Sequence, residues 1–263
     1  MKRARTIAAI VWLEMLRRKD VYVLLILLGA LLAALVSLDV FGLGGAVGYV
    51  KDIGLLMAWL FGWVLAVALS TRQLPQEEAR GTIFPLLAKP ISRRDLLAGK
   101  WLGCWSVVAT ATAVFYVLVA AVAAAKGGRF DPLALAQGYL LHTAALAVIV
   151  AIGLLLSTRL NQDAASALAY IVSGAAFLLL PRVPQLAASS GGLSATLMLV
   201  LYHLLPHLEL FDMRKRLVHD FGPVRWPVFA AVLAYGVLLT VLFVLLAWLA
   251  YRRKRFTRGD LAA

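Results

Sequence analysis

Six runs of 17 to 26 residues pass without a single Asp, Glu, Lys or Arg: Val21–Leu38, Ile53–Ser70, Trp101–Ala125, Leu133–Leu156, Ala164–Leu180 and Trp226–Tyr251. No other feature constrains the fold as much. A helix of about 20 apolar residues covers the ~30 Å hydrocarbon core of a bilayer. The expected fold is therefore an all-α integral membrane protein with six transmembrane helices. Composition agrees: 63% of the 263 residues are hydrophobic and 15% are charged, against about 25% charged in soluble proteins. This length suits one membrane domain over residues 1–263. The only cysteine, Cys104, lies in an apolar run, so no intramolecular disulfide forms.

The net charge of +13 does not point to nucleic acid, because the cations sit in short loops and tails. Six Lys and Arg precede the first run, six lie between Thr71 and Lys100, Arg159 is one more, and the C-terminal tail holds five. On the other side are only Lys51, Lys126 and Arg129 in the short loops. Positively charged short loops stay in the cytoplasm, so both termini and the 71–100 segment are expected there, in a plasma membrane of the bacterial inner-membrane type. The segment 181–225 carries five further cations on the outer side, and a loop of that length is translocated with its charges. Trp101, Trp226, Trp248 and Tyr251 sit at span ends, as interfacial aromatics do.

Arg17-Arg18-Lys19-Asp20 interrupts before any long apolar run, and no small-residue cleavage site follows, which predicts an uncleaved N-terminus. Residues 1–19 read as an interfacial helix with Ile7, Val11, Trp12 and Met15 on one face and Arg3, Glu14 and Arg17 opposite. The competing reading is a positive flank and an early start of the first span. Leu193–Leu205 is apolar but too short to cross the bilayer, so the outer segment 181–225 is expected to hold a re-entrant or interfacial helix.

The polar island Thr71–Lys100 divides in two. Pro75 at an early turn with Glu77 and Glu78 behind it predicts a short helix from Pro75 to Ala88, kept short by Gly81 and Pro85. Lys89-Pro90 ends it. Ser92 then reads as the N-cap of the third span, with Asp95 three residues on. A helix lying across the membrane base and tied to two spans transmits a push from a soluble partner. An ordinary solvated loop fits the same pattern.

Certain chemistry is missing. Gly99-Lys100 is followed by Trp101 and lacks the upstream glycine of a phosphate-binding loop, so the chain is not expected to hydrolyse ATP. The spans contain no charged side chain, and His142 is read as a hydrogen-bonded packing residue, which argues against ion-coupled transport. No hydrolase motif appears. His203, His207 and His219 are close enough in sequence to suggest a metal site, with Pro206 intervening.

Glu78-x-x-Gly81-Thr82, two apolar turns, Lys89-Pro90-Ile91-Ser92-Arg93 and Gly99-Lys100 resemble the signature loop of ABC-2 type permeases, the membrane subunits of ATP-binding-cassette transporters. The order of elements agrees along essentially the whole chain. Lys89 stands where that family usually has Ser or Thr before the proline. Pro206-x-Leu208-x-x-Phe211 is similar to a pattern in the permease group that includes gliding-motility and nitrous-oxide-reductase maturation transporters.

The resemblance implies a coupling helix that docks on the ATPase, contributed here by Glu77, Glu78, Arg80, Gly81, Thr82, Phe84 and Leu87. A hinge and return into the membrane follow at Pro90, Ser92, Arg93, Asp95, Gly99 and Lys100. It further implies two ATPase subunits that bind the ATP and Mg, a second permease subunit (identical or related), and export rather than import. The chain itself then has no catalytic, cofactor or metal site. The alternatives from the residues alone are a membrane anchor or assembly subunit without a pathway, and a membrane-embedded enzyme or metal-handling protein built around His203 to His219.

Overall fold

A computed structural model describes residues 2–17, 19–38, 46–79 and 92–252, and among these there are helices and no strands. The long elements are α1 (Lys2–Arg17), α2 (Asp20–Leu38), α3 (Ala46–Ala79), α4 (Arg93–Ala125), α5 (Pro132–Ser157), α6 (Gln162–Leu178) and α10 (Trp226–Arg252). Between α6 and α10 lie three short helices, α7 (Val183–Ser189), α8 (Leu193–Leu204) and α9 (Arg214–Val218), and the 3-10 turns Leu180–Arg182 and Leu208–Phe211. Ala79, Ser92, Ser157 and Arg252 lie at one end of the bundle, the base; Lys51, Ala125 and residues 181–225 lie at the other, the crown.

Among the described residues, five helical stretches are long and apolar enough to cross a membrane, Val47–Ala79, Arg93–Ala125, Pro132–Ser157, Gln162–Ser189 and Trp226–Arg252, or six if the bent pair Leu193–Leu204 and Leu208–Val218 is one span. The expected first span is also helical; the 19 residues of α2 give a rod of roughly 28 Å, close to the hydrocarbon thickness. The chain is a multi-pass all-α membrane protein. The core is centred on α5, which packs against α3, α4, α6 and α10 and buries an almost continuous run from Ala145 to Leu154.

Local chemistry sets the boundaries. Ser92 caps α4 as its spacing predicts: its Oγ accepts from the Asp95 backbone N–H at 3.1 Å and donates to Asp95 Oδ2 at 2.8 Å. Asp131 accepts from Leu133 N and precedes Pro132 at the first turn of α5, and Asn161 accepts from Ala164 N to start α6. Each satisfies an amide the helix leaves open.

Pro75 departs from expectation. It does not open a new helix; α3 continues through it to Ala79. The proline forfeits one backbone bond, to the carbonyl of Thr71, but the surrounding turn of Ser70, Thr71, Arg72, Gln73 and Leu74 is buried on neighbouring helices, which hold the rod together. The helix of 34 residues is therefore roughly 50 Å long and overruns the bilayer core. Trp101 departs too. With α4 starting at Arg93, it lies two turns inside the helix. Its indole N–H donates to Ala147 O of α5 at 3.1 Å, so it packs between helices instead of marking the interface.

Helix α1 lies along α4, with Ile7, Ala8, Val11 and Met15 buried against it. The approach needs glycine. A Cβ on Gly99 would sit 2.7 Å from Ile7 Cβ and 2.8 Å from Ala4 O, and one on Gly103 would sit 2.7 Å from Val11 Cβ. Ile10 and Leu13 face outward, so α1 has a second apolar side beyond the single face read from its periodicity.

Candidate coupling site and crown contacts

At the base, α3 and α4 are joined by a buried lysine. The Lys100 side chain is 2% exposed and its Nζ lies 2.6 Å from Glu77 Oε1, whose side chain is 27% exposed. The same ammonium donates to Gln73 Oε1 at 3.2 Å and to Gln73 O at 3.4 Å. One turn away, buried Arg72 donates from Nη2 to Met15 Sδ at 3.0 Å, bringing α1 into the cluster. Gln76 donates to Gln162 Oε1 at 2.9 Å, joining α6. Beneath these, Gly153 of α5 leaves the space that the Ser70 hydroxyl fills. Withdrawing an ammonium from water is costly unless oxygens replace its hydration, and here one carboxylate and two carbonyl oxygens surround it.

Arg93 ties the same corner to the last span. Its Nη1 donates to the carbonyls of Tyr251 at 2.8 Å and Arg252 at 3.0 Å, while Arg159 Nη2 donates to Ala250 O at 3.0 Å. Two guanidinium groups thus meet backbone carbonyls in the last described turn of α10.

Of the residues singled out for coupling, Glu77 and Glu78 fall in the last turn of α3, and Arg80, Gly81, Thr82, Phe84, Leu87 and Pro90 lie outside the described residues. Ser92, Arg93, Asp95, Gly99 and Lys100 all fall in the first turns of α4: a cap, a clamp on α10, a notch for α1 and the buried cation. Periodicity assigned Lys100 only to a membrane return. Its burial was foreshadowed by one signal, a lysine four residues before Cys104 on a helix whose neighbours are apolar.

At the crown, the segment after α8 folds back onto the bundle. The axes of Leu193–Leu204 and Leu208–Val218 differ by 48°, with Pro206 at the break. Glycine notches receive its side chains. A Cβ on Gly138 of α5 would sit 2.8 Å from Leu217 Cδ1, and one on Gly236 of α10 would sit 2.9 Å from the Phe211 ring. Gln137 pairs with the backbone of Val224 through both amide atoms, at 3.0 and 2.7 Å. The His207 N–H donates to Tyr235 Oη at 3.0 Å.

Two contacts reach α3. Lys51 Nζ is 2.8 Å from Asp220 Oδ2, and the Arg214 guanidinium, paired with Asp212 at 2.7 Å, lies 5.5 Å from the Trp59 ring. Trp59 stacks on His142 at 4.1 Å with 6° between the rings. His142 is fully buried, neither ring nitrogen has a hydrogen bond within the described chain, and Gly62 leaves room for it. It packs as a ring, as expected, but without the hydrogen bond expected of it: stacking on Trp59 takes the place of a polar partner. Sequence reasoning missed these crown contacts; the lone Gln137 and the glycine beside it were the available signal.

The three other histidines do not converge. His203 bonds Leu199 O, His207 Nδ1 pairs with Glu209 at 2.9 Å, and the His219 ring lies against Phe221. No group of three His, Cys, Asp or Glu side chains among the described residues is arranged to hold a metal.

Residues 6–261 match the family described as ABC-2 family transporter protein. No curated protein sequence matches the chain.

Proposed function

The chain belongs to the ABC-2 transporter family, the membrane subunits of ATP-binding-cassette transporters, and from that premise we propose how its own residues couple a partner ATPase to movement across the membrane. The base faces the cytoplasm, where the Lys and Arg excess lies. Two ATPase subunits, which bind the ATP and Mg, dock on the segment between α3 and α4. A second permease subunit completes the pathway, and the direction is export.

The observation that carries this reading is the continuity of α3. One unbroken helix carries Glu77 at the base and Lys51 and Trp59 at the crown. The Lys100–Glu77 bond makes the ends of α3 and α4 move as a pair when the docked segment is pushed. A rigid rod with a discrete contact at each end is the physical element that a coupling between distant sites needs. The chain contributes no ATP chemistry; it supplies the lever.

The test is reconstitution with the cognate ATPase. Removing Lys100 or Glu77 is expected to leave nucleotide binding intact while abolishing any effect of the permease on the hydrolysis rate. Unchanged stimulation in both variants would remove the pair from the coupling path. Failure of any ATPase to copurify would remove the transporter reading itself in favour of an anchor or assembly subunit.

A further inference from the structure

One charged surface at the base is not used by the coupling reading. Arg94, in the first turn of α4, places its guanidinium 4.1 Å from the Trp248 ring of α10, and Arg252 places its own 5.2 Å from the same ring. Both arginines are exposed, and neither has an ion-pair partner among the described residues. Two nearby carboxylates are engaged elsewhere, Asp95 with Ser92 and Glu77 with Lys100. A guanidinium resting over an indole keeps its N–H groups free for a second ligand, and the planar fork suits phosphate oxygens.

The surface leading to this pair is apolar. Val241, Leu245, Trp248 and Arg252 follow one another at spacings of four, three and four, so they share one face of α10. Val241 and Leu245 are each about half exposed, 51% and 50%, and only 17% of the α10 span is buried within the bundle. A lane of exposed aliphatic side chains ending in an interfacial tryptophan and two cations with no ion-pair partner among the described residues has the shape and charge order of one phospholipid: acyl chain along the helix, phosphate at the membrane surface.

We propose that Arg94, Trp248 and Arg252 form a binding site for one anionic phospholipid in the leaflet at the base. The site is complete within one copy of the chain and stands whether or not the coupling reading holds. Its headgroup clamp joins the third span to the last, so an occupied site holds α4 and α10 together beside the Arg93 clamp.

The experiment titrates the full-length purified protein with short-chain phosphatidylglycerol, phosphatidylcholine of the same chain length, and inorganic phosphate, reading thermal unfolding. Phosphatidylglycerol is expected to stabilise most, inorganic phosphate not at all. The Arg94→Gln, Arg252→Gln double variant is expected to bind phosphatidylglycerol roughly tenfold more weakly, the scale of one lost charge-assisted hydrogen bond, and to respond to both lipids alike. Arg94→Lys keeps the charge and is expected to retain part of the preference. Because each variant is compared with itself across lipids, a general loss of stability does not mimic the result. Equal stabilisation by phosphatidylcholine, an equal response to inorganic phosphate, or an undiminished preference in the double variant would overturn the proposal. So would loss of ATPase association with the lipid preference intact, which would make the surface a protein contact.

Discussion

The two ends of α3 solve one problem with different materials. Each end holds a lysine that is almost fully buried, Lys100 of α4 at the base and Lys51 of α3 itself at the crown, and each lysine meets a more exposed carboxylate. At the base the carboxylate is 27% exposed and the lysine has two further oxygens from Gln73. At the crown Asp220 is 62% exposed, and Lys51 lies 4.8 Å from the Phe130 ring. The base is thus a knot around a buried ammonium, linking helix to helix. The crown is a folded segment keyed into glycine notches, with its ion pair at the rim. Charge pairs withdrawn from water are costly to break, and the more exposed Asp220 carboxylate weakens the crown pair relative to the base.

The comparison is broken most severely at Glu77. Glu77→Ala leaves the Lys100 ammonium buried without its anion, a loss of about 3–5 kcal/mol, read as a lower unfolding temperature. Lys100→Met is expected to cost less, since the remaining carboxylate still reaches water. The reverse order would mean that Lys100 is not shielded.

Gly99→Ala comes next, at about 1–3 kcal/mol. The new methyl would meet Ile7 and the Ala4 carbonyl oxygen, and the backbone atom cannot swing aside. Gly138→Ala at the crown meets only the end of the Leu217 side chain, which rotates, so about 1 kcal/mol or less is expected. Thermal unfolding of the two variants side by side checks the contrast.

Gln137→Leu removes two neutral hydrogen bonds to Val224, worth about 1 kcal/mol each. Limited proteolysis at the crown is expected to quicken and the unfolding temperature to fall by roughly a few degrees.

The smallest effect is expected from His142→Phe. Its ring nitrogens have no hydrogen bond within the described chain, and replacing an unpaired polar ring by an apolar one of similar shape is close to neutral. Unfolding temperature and any ATPase stimulation should both be unchanged.

What was legible in the sequence follows from which forces are local. The apolar runs announced the spans because membrane thickness dictates their length. Ser92 and Asp95 announced the start of α4 because capping acts over three residues. Pro75 misled, since its local preference to begin a helix was overridden by the packing of the buried turn around Ser70 to Leu74 on other helices. Lys100 was placed in the right segment but not in the core, because its partners, Gln73 and Glu77, lie across a tertiary contact. The crown showed least. Gly138 and Gly236 take their meaning from Leu217 and Phe211, which periodicity does not bring near them.

In the proposed coupling, α3, locked to α4 by Glu77 and Lys100, carries ATPase motion from base to crown. Spin labels at exposed Lys215 and Arg129 report it directly, because the only native cysteine, Cys104, is buried and stays unlabelled. In the permease–ATPase complex, ATP is expected to change the distance between the two labels. In a Glu77→Gln, Lys100→Met double variant that still binds the ATPase, that change is expected to vanish. A crown that moves as fully without the pair as with it would contradict the account.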